Sequence, residues 1–185
     1  MRVRTRTSLF LASVLVLPTL LLVSSCLADE AGPQRENELK AAYLFNFAKF
    51  VEWPASATPD VITVCFQDSP GVLAAFAVSA SAKRIGTRRV LVRALSAAAT
   101  FQGCEVLYVG VIGSDTSLQL SGEKIMAVLT VSDAQDFIHR GGIIELFPEG
   151  NRLRFKISAQ NARRARLKIS SSLLQLASSV EDGSR

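Results

Sequence analysis

Histidine, tryptophan and methionine are nearly missing from this chain of 185 residues, which carries one His, one Trp, two Met and three Cys. With His139 alone there is no histidine-based metal site and no second imidazole for a proton relay. His139 stands between Ile138 and Arg140-Gly141-Gly142, the pattern of a surface helix end. A glycine-rich phosphate loop is absent, because Gly141-Gly142 leads into a strand pattern rather than a helix. No Gly-x-Ser-x-Gly occurs, and Ser170-Ser171-Ser172 fits a helix cap better than a nucleophile. Asp133 and Asp136 are close together but sit in a loop, as turn residues rather than an acid/base pair. The expectation is a protein with no enzymatic activity, no catalytic or metal-binding residue and no cofactor.

Apolar runs long enough to span a bilayer are also lacking. The longest, Leu9 to Val23, follows Arg2, Arg4 and Arg6 and precedes Ser24-Ser25-Cys26, which reads as an export signal over residues 1–26. Val23-Ser24-Ser25-Cys26 fits a lipobox, making Cys26 the lipidation candidate of a bacterial lipoprotein. A cut after Ala28 competes with it and leaves a soluble protein. Either way the destination is the periplasm. Removing the signal takes three arginines with it, so the formal charge falls from +5 to +2 and no nucleic-acid partner is expected. Residues 27–35 read as a flexible lead, 36–180 as a single domain and 181–185 as a disordered tail.

The domain opens on Leu39 to Pro54, which gathers Tyr43, Phe45, Phe47, Phe50 and Trp53. At about 100° per residue, Leu39, Tyr43, Leu44, Phe47, Phe50 and Val51 share one face of an amphipathic helix. Phe45 falls on the other face with Ala41, Lys49 and Glu52. Pro54 should stop the helix near Glu52. A core helix is the plain expectation. The sharper one is that Phe45, on the wet side, touches a partner protein or a second copy.

Beyond it, strands alternate with short helices. Val61–Phe66 is dense in β-branched residues. Ser69 caps a helix from Val72 to Val78 with Pro70 at its first position. Arg88–Arg93 is a strand, and Ala97–Gly103 a turn or short helix. Glu105–Ile112 and Met126–Val131 are continuous apolar runs, the mark of strands buried on both faces. Ser117–Glu123 would be a short helix and Ala134–His139 a helical turn. Ile143–Phe147 and Arg152–Ile157 flank a Pro148-Glu149-Gly150-Asn151 hairpin turn. Asn161–Arg166 can form a helix, Leu167–Ile169 an edge strand, and Ser172 with Gln175 a capping box for Leu173–Val180. The fold class is α/β, a layered sandwich with a mainly parallel sheet flanked by helices and an antiparallel hairpin near the C-terminal end.

Cys65 and Cys104 remain in the domain. In an exported protein an even pair is a disulfide more readily than a metal site or nucleophile. Such a bond would be worth about 3–4 kcal/mol. The alternative is two buried free thiols. Arg152, Arg154 and Lys156 alternate onto one face, and Arg163, Arg164, Arg166 and Lys168 follow, so a positive surface is expected. It is a solvated face or, with Arg152, Arg154 and Arg163 as interface candidates, a surface that steers an acidic partner, or a pocket for a small anionic ligand.

With these segments placed, the chain resembles the YfiR family, also labelled DUF4154. The block Ala41-Ala42-Tyr43-Leu44-Phe45-Asn46-Phe47-Ala48-Lys49-Phe50-Val51-Glu52-Trp53-Pro54 is similar to the family signature almost residue for residue. Cys104–Val109, Val128–Asp133 with Gly141–Ile144, Arg154–Ile157 and Leu167–Ala177 follow in the family's order. The resemblance implies a periplasmic α/β protein, not an enzyme, that represses the periplasmic sensor region of a membrane-bound diguanylate cyclase. It would thereby lower cyclic-di-GMP signalling and biofilm formation. It also implies an outer-membrane lipoprotein as a sequestering partner, and disulfides that tune activity. Cys65 and Cys104 match one family cysteine pair, whereas the second pair has no counterpart between residues 140 and 155. Relatives linked to sensor histidine kinases make such a kinase the other candidate target. A homodimer and a small-molecule-binding sensor, with its crevice at the carboxyl ends of the parallel strands, are further expectations.

Overall fold

The computed structural model describes residues 31–54, 60–96, 101–110 and 126–183. Cys26 and the export signal, the Ser117–Glu123 helix and part of the Ala97–Gly103 segment lie outside the described residues. The second of the chain's two compact units, Pro33–Arg185, holds the fold.

Helix α1 (Ala31–Lys49) leads through strand β1 (Val51–Glu52) to β2 (Val61–Gln67), α2 (Pro70–Ala80), β3 (Arg84–Ile85) and β4 (Arg88–Leu95). Then come β5 (Val106–Val109), β6 (Leu129–Ser132), β7 (Ile144–Glu149) and β8 (Arg152–Ser158). The chain ends with α3 (Ala159–Arg164), β9 (Lys168–Ile169), α4 (Ser171–Leu176) and β10 (Ser179–Glu181). Eight strands form one sheet in the order β10-β8-β7-β6-β5-β2-β4-β3. Strands β7, β6, β5, β2 and β4 are mutually parallel. The hairpin β7–β8 is antiparallel, with Pro148 opposite Leu153 and Glu149 opposite Arg152. This is the α/β class with a mainly parallel sheet and a hairpin toward the C-terminal end.

The continuous apolar runs become the middle of that sheet. Every residue of β5 and β6 is buried, as is β2 beyond Val61. Alternation divides them between two clusters. Val64, Phe66, Val106, Tyr108, Leu129 and Val131 pack with α1 and α2 in the larger core. Cys65, Leu107 and Val109 join Cys104 and Val128 in a smaller one.

Helix α1 departs from expectation in three respects. It begins at Ala31, inside the segment read as a flexible lead. It ends at Lys49, because Val51 and Glu52 pair antiparallel with Ile169 and Lys168; the proline at 54 favours extended backbone just before it. Its buried stripe is also rotated. Lys40, Ala41, Leu44, Phe47, Ala48 and Val51 face inward, while Leu39 and Phe50 are 43% and 38% exposed. Ala41 and Ala48 let the helix backbone approach the sheet, so small side chains set the inner face and the larger ones on its flank stay out.

The C-terminal end is also corrected. Helix α4 is capped by Ser170, whose side chain accepts from the Leu173 N–H, rather than by Ser172. It stops at Leu176, and Ser179–Glu181 pair parallel with Lys156–Ser158 of β8, so the strand takes Glu181 out of the expected tail. The expected edge strand around Leu167–Ile169 leaves the main sheet and pairs with β1. At the other end, Met126 and Ala127 form a turn, with Ala127 at φ 60°, so β6 begins only at Leu129.

Candidate functional site

Cys65 lies within β2 and Cys104 two residues before β5, the strand hydrogen-bonded beside it. The neighbouring strands bring the two cysteines to a Cα–Cα distance of 5.8 Å, and they are joined as a disulfide. Arg93 of β4 donates to Cys104 Sγ at 2.8 Å and to the Gln102 carbonyl at 2.7 Å. Both sulfurs belong to buried residues, so the bond ties two central strands together inside the smaller core.

Phe45 is not on the wet side. It lies beside Ala41 and Ala48 on the helix circumference, and the rotation of the stripe carries it into partial burial. Its ring centroid is 6.5 Å from that of Phe76 in α2. The ammonium groups of Lys49 and Lys83 stand 4.6 and 5.4 Å from the same ring. Cations over an aromatic face are attracted by its quadrupole. Phe45 is therefore part of the α1–α2 contact, with a cationic cover.

Arg152 and Arg154 alternate along β8 as expected and Arg163 lies in α3, but two of the three have carboxylate partners. Arg154 Nε is 2.9 Å from Glu149 Oε2 across the hairpin, and Arg163 pairs with Asp182. Lys156 pairs with the buried Glu145 at 3.1 Å. Three of the seven cations expected on the positive surface are thus paired, while Arg152, Arg164, Arg166 and Lys168 are exposed with no carboxylate partner among the described residues. No hydrogen bond, ion pair or ring contact among the described residues links Phe45 to these arginines. His139 is exposed, with Nδ1 3.7 Å from Glu181 Oε2. Among the described residues no group of His, Cys, Asp and Glu could hold a metal ion.

Two buried polar clusters were not foreseen. Lys40 of α1 reaches Asp133 Oδ2 at 2.5 Å and Glu36 Oε1 at 2.6 Å. Burial alone would lower the Lys40 pKa, but the hydrogen bonds and charges of Asp133 and Glu36 outweigh it and hold the ammonium above its usual 10.5. Burial first, then the charge and hydrogen bond of Asp133, push the Tyr108 phenol well above its ordinary value. At the opposite ends of the strands, Glu105 accepts from Arg88 at 2.6 Å and from the Thr63 N–H at 2.8 Å. Trp53 Nε1 donates to the Glu105 carbonyl at 3.1 Å, and Tyr43 OH to the Leu153 carbonyl at 2.9 Å. Tyr43 and Trp53, the polar-tipped aromatics of the opening block, thus fasten α1 and its exit to β8 and to the start of β5.

The sequence pattern of the YfiR/HmsC-like family (DUF4154) matches residues 37–178, which include the described elements from most of α1 through α4. The chain belongs to the YfiR/HmsC-like family. No curated protein matches it. A solved structure, described as a conserved domain protein from Vibrio cholerae O1 biovar El Tor strain N16961, is similar with a TM-score of 0.50 at 12% identity. The likeness covers 78% of this chain and 60% of that one, and bears on the fold alone. In this YfiR/HmsC-like chain the family blocks are framework: α1, the two central strands and the closing segments. Among the described residues no helix is long and apolar enough to cross a membrane.

Proposed function

We propose that this YfiR/HmsC-like protein is a non-enzymatic periplasmic regulator that binds the sensor region of an inner-membrane signalling enzyme of the diguanylate cyclase type. It represses that enzyme and so lowers cyclic-di-GMP signalling and biofilm formation. One observation carries the reading: the family pattern extends over most of the folded domain, residues 37–178. The export signal and the cysteine pair support the compartment. The residues of the family blocks pack and pin the fold, as expected of a protein that works through its surface. Co-purification from solubilised membranes tests it directly. A diguanylate cyclase retained on the tagged protein supports the reading, and a histidine kinase retained instead redirects it to the other candidate target.

A small-molecule sensor is a second reading, favoured by one observation. Gln67 ends β2 with its side chain buried and its Oε1 without a hydrogen-bond partner. The carboxyl ends of parallel strands are where open α/β sheets bind ligands. Thermal-shift screening of periplasmic metabolites tests this, and a uniformly flat response would count against it.

A further inference from the structure

Among the described residues, strand β4 is open along most of its outer side. Its inner side pairs with β2 from Arg89 to Leu95, but β3 covers only Arg88 and Arg89 on the other. Among the described residues no strand lies beyond β4 from Val90 to Leu95, so alternate backbone N–H and C=O groups there face outward. The edge is bordered by a groove of about 360 Å³ whose floor is Ala77, Ala80, Val90 and Val92. Lys83 and Arg84 stand in its wall.

The two faces of this edge differ chemically. Val90 and Val92 point to the α2 side and pack on the larger core, and alternation sends Arg89, Leu91 and Arg93 to the other side. Leu91 is 54% exposed. Lys83, Arg84 and Arg89 have no carboxylate partner among the described residues, unlike Arg154 and Arg163. Exposed cations without a carboxylate partner among the described residues, beside an apolar lining, favour an occupant with carboxylates. A second copy of this chain would bring the same cations against one another, which the charge disfavours.

We propose that the open edge of β4 and the α2 groove take an extended, acidic segment of a partner protein by strand addition. Main-chain hydrogen bonds to Val90–Leu95 supply the attachment, and alternate side chains supply the selection. Apolar residues of the segment lie over Val90 and Val92, and its alternate carboxylates face Arg89 on the opposite side. The proposal rests on the regulator reading and places the contact surface for its partner.

The test uses the exported protein with two synthetic decapeptides, one alternating Glu with Val and one alternating Lys with Val. Amide hydrogen exchange and fluorescence anisotropy are measured with each. The expected result is exchange slowed at least tenfold at alternate residues of Val90–Leu95 by the Glu-Val peptide alone. The exposed-residue variant Arg89→Glu, which leaves Lys83 over the Phe45 ring, should melt like the parent and bind that peptide at least tenfold more weakly. Equal binding of both peptides, no protection of these amides, or protection arising without peptide through self-association would overturn the proposal. In cells, the same variant separates the two claims. If it represses as the parent does, the groove is wrong and the regulator reading stands; if deleting the gene changes no signalling output, the regulator reading itself fails.

Discussion

Lys40 Nζ lies 2.5 Å from Asp133 Oδ2, joining the first helix to the loop that leaves β6, 93 residues further along the chain. The lysine side chain is 10% exposed and the aspartate 18%. Removing one partner strands the other's charge in a largely dry site, so Lys40→Met should destabilise at the lower end of the ~3–5 kcal/mol reported for broken buried pairs. The double variant Lys40→Met/Asp133→Asn should recover part of that loss. Urea unfolding of the single and double variants checks the coupling.

The same pair fixes the alkaline behaviour. The folded Lys40 ammonium is held above its ordinary 10.5, and the folded Tyr108 phenol above its ordinary 10.0. Both groups bind protons more tightly folded than unfolded. Their contributions are complete at neutral pH and are lost as pH rises past the unfolded values toward the folded ones. Melting temperature should therefore be insensitive to these groups through neutrality and fall above about pH 10, with a shallower fall in Lys40→Met. Thermal melts between pH 7 and 11 measure it. A fall beginning near pH 8 would contradict the assignment.

Phe45 sits between Phe76 and two ammonium groups, so its truncation is a stability change before it is an interface change. A half-buried ring loses less than the ~3–5 kcal/mol of a core phenylalanine, and Phe45→Ala should cost about 1–2 kcal/mol. Calorimetry decides. An unchanged melting temperature would restore Phe45 to the free surface.

The Cys65–Cys104 bond closes a loop with a sequence separation of 39. In the chain-entropy view its loss destabilises by about 3–4 kcal/mol. The double Ser variant and the reduced parent should unfold at similarly lower urea concentrations. Mass analysis without reductant should show the two peptides linked.

Much of this fold was legible in sequence because the strongest patterns are local. The continuous apolar runs at β5 and β6 announce strands buried on both faces, and Gly150-Asn151 announces the hairpin, although Pro148 and Glu149, expected in the turn, continue β7. Helix α1 was located but its rotation was not. Alanine carries little hydrophobic weight, yet Ala41 and Ala48 are what the sheet admits. The ends of the chain misled for a related reason. Ser179–Glu181 is a strand only because β8 offers an edge, and Val51–Glu52 only because Lys168–Ile169 return beside them. Electrostatic partners were the least legible, since Arg163–Asp182 and Lys40–Asp133 are products of topology with no local signal. The alternation of Arg152, Arg154 and Lys156 is legible in the sequence, but the pairing of Arg154 with Glu149 and of Lys156 with Glu145 is not.

The regulator reading is tested most directly by cellular cyclic-di-GMP, quantified by mass spectrometry in the source bacterium with this gene intact, deleted and restored. The account predicts a rise on deletion, with more biofilm, and a return to the parental level on restoration. Unchanged cyclic-di-GMP in all three strains would contradict it.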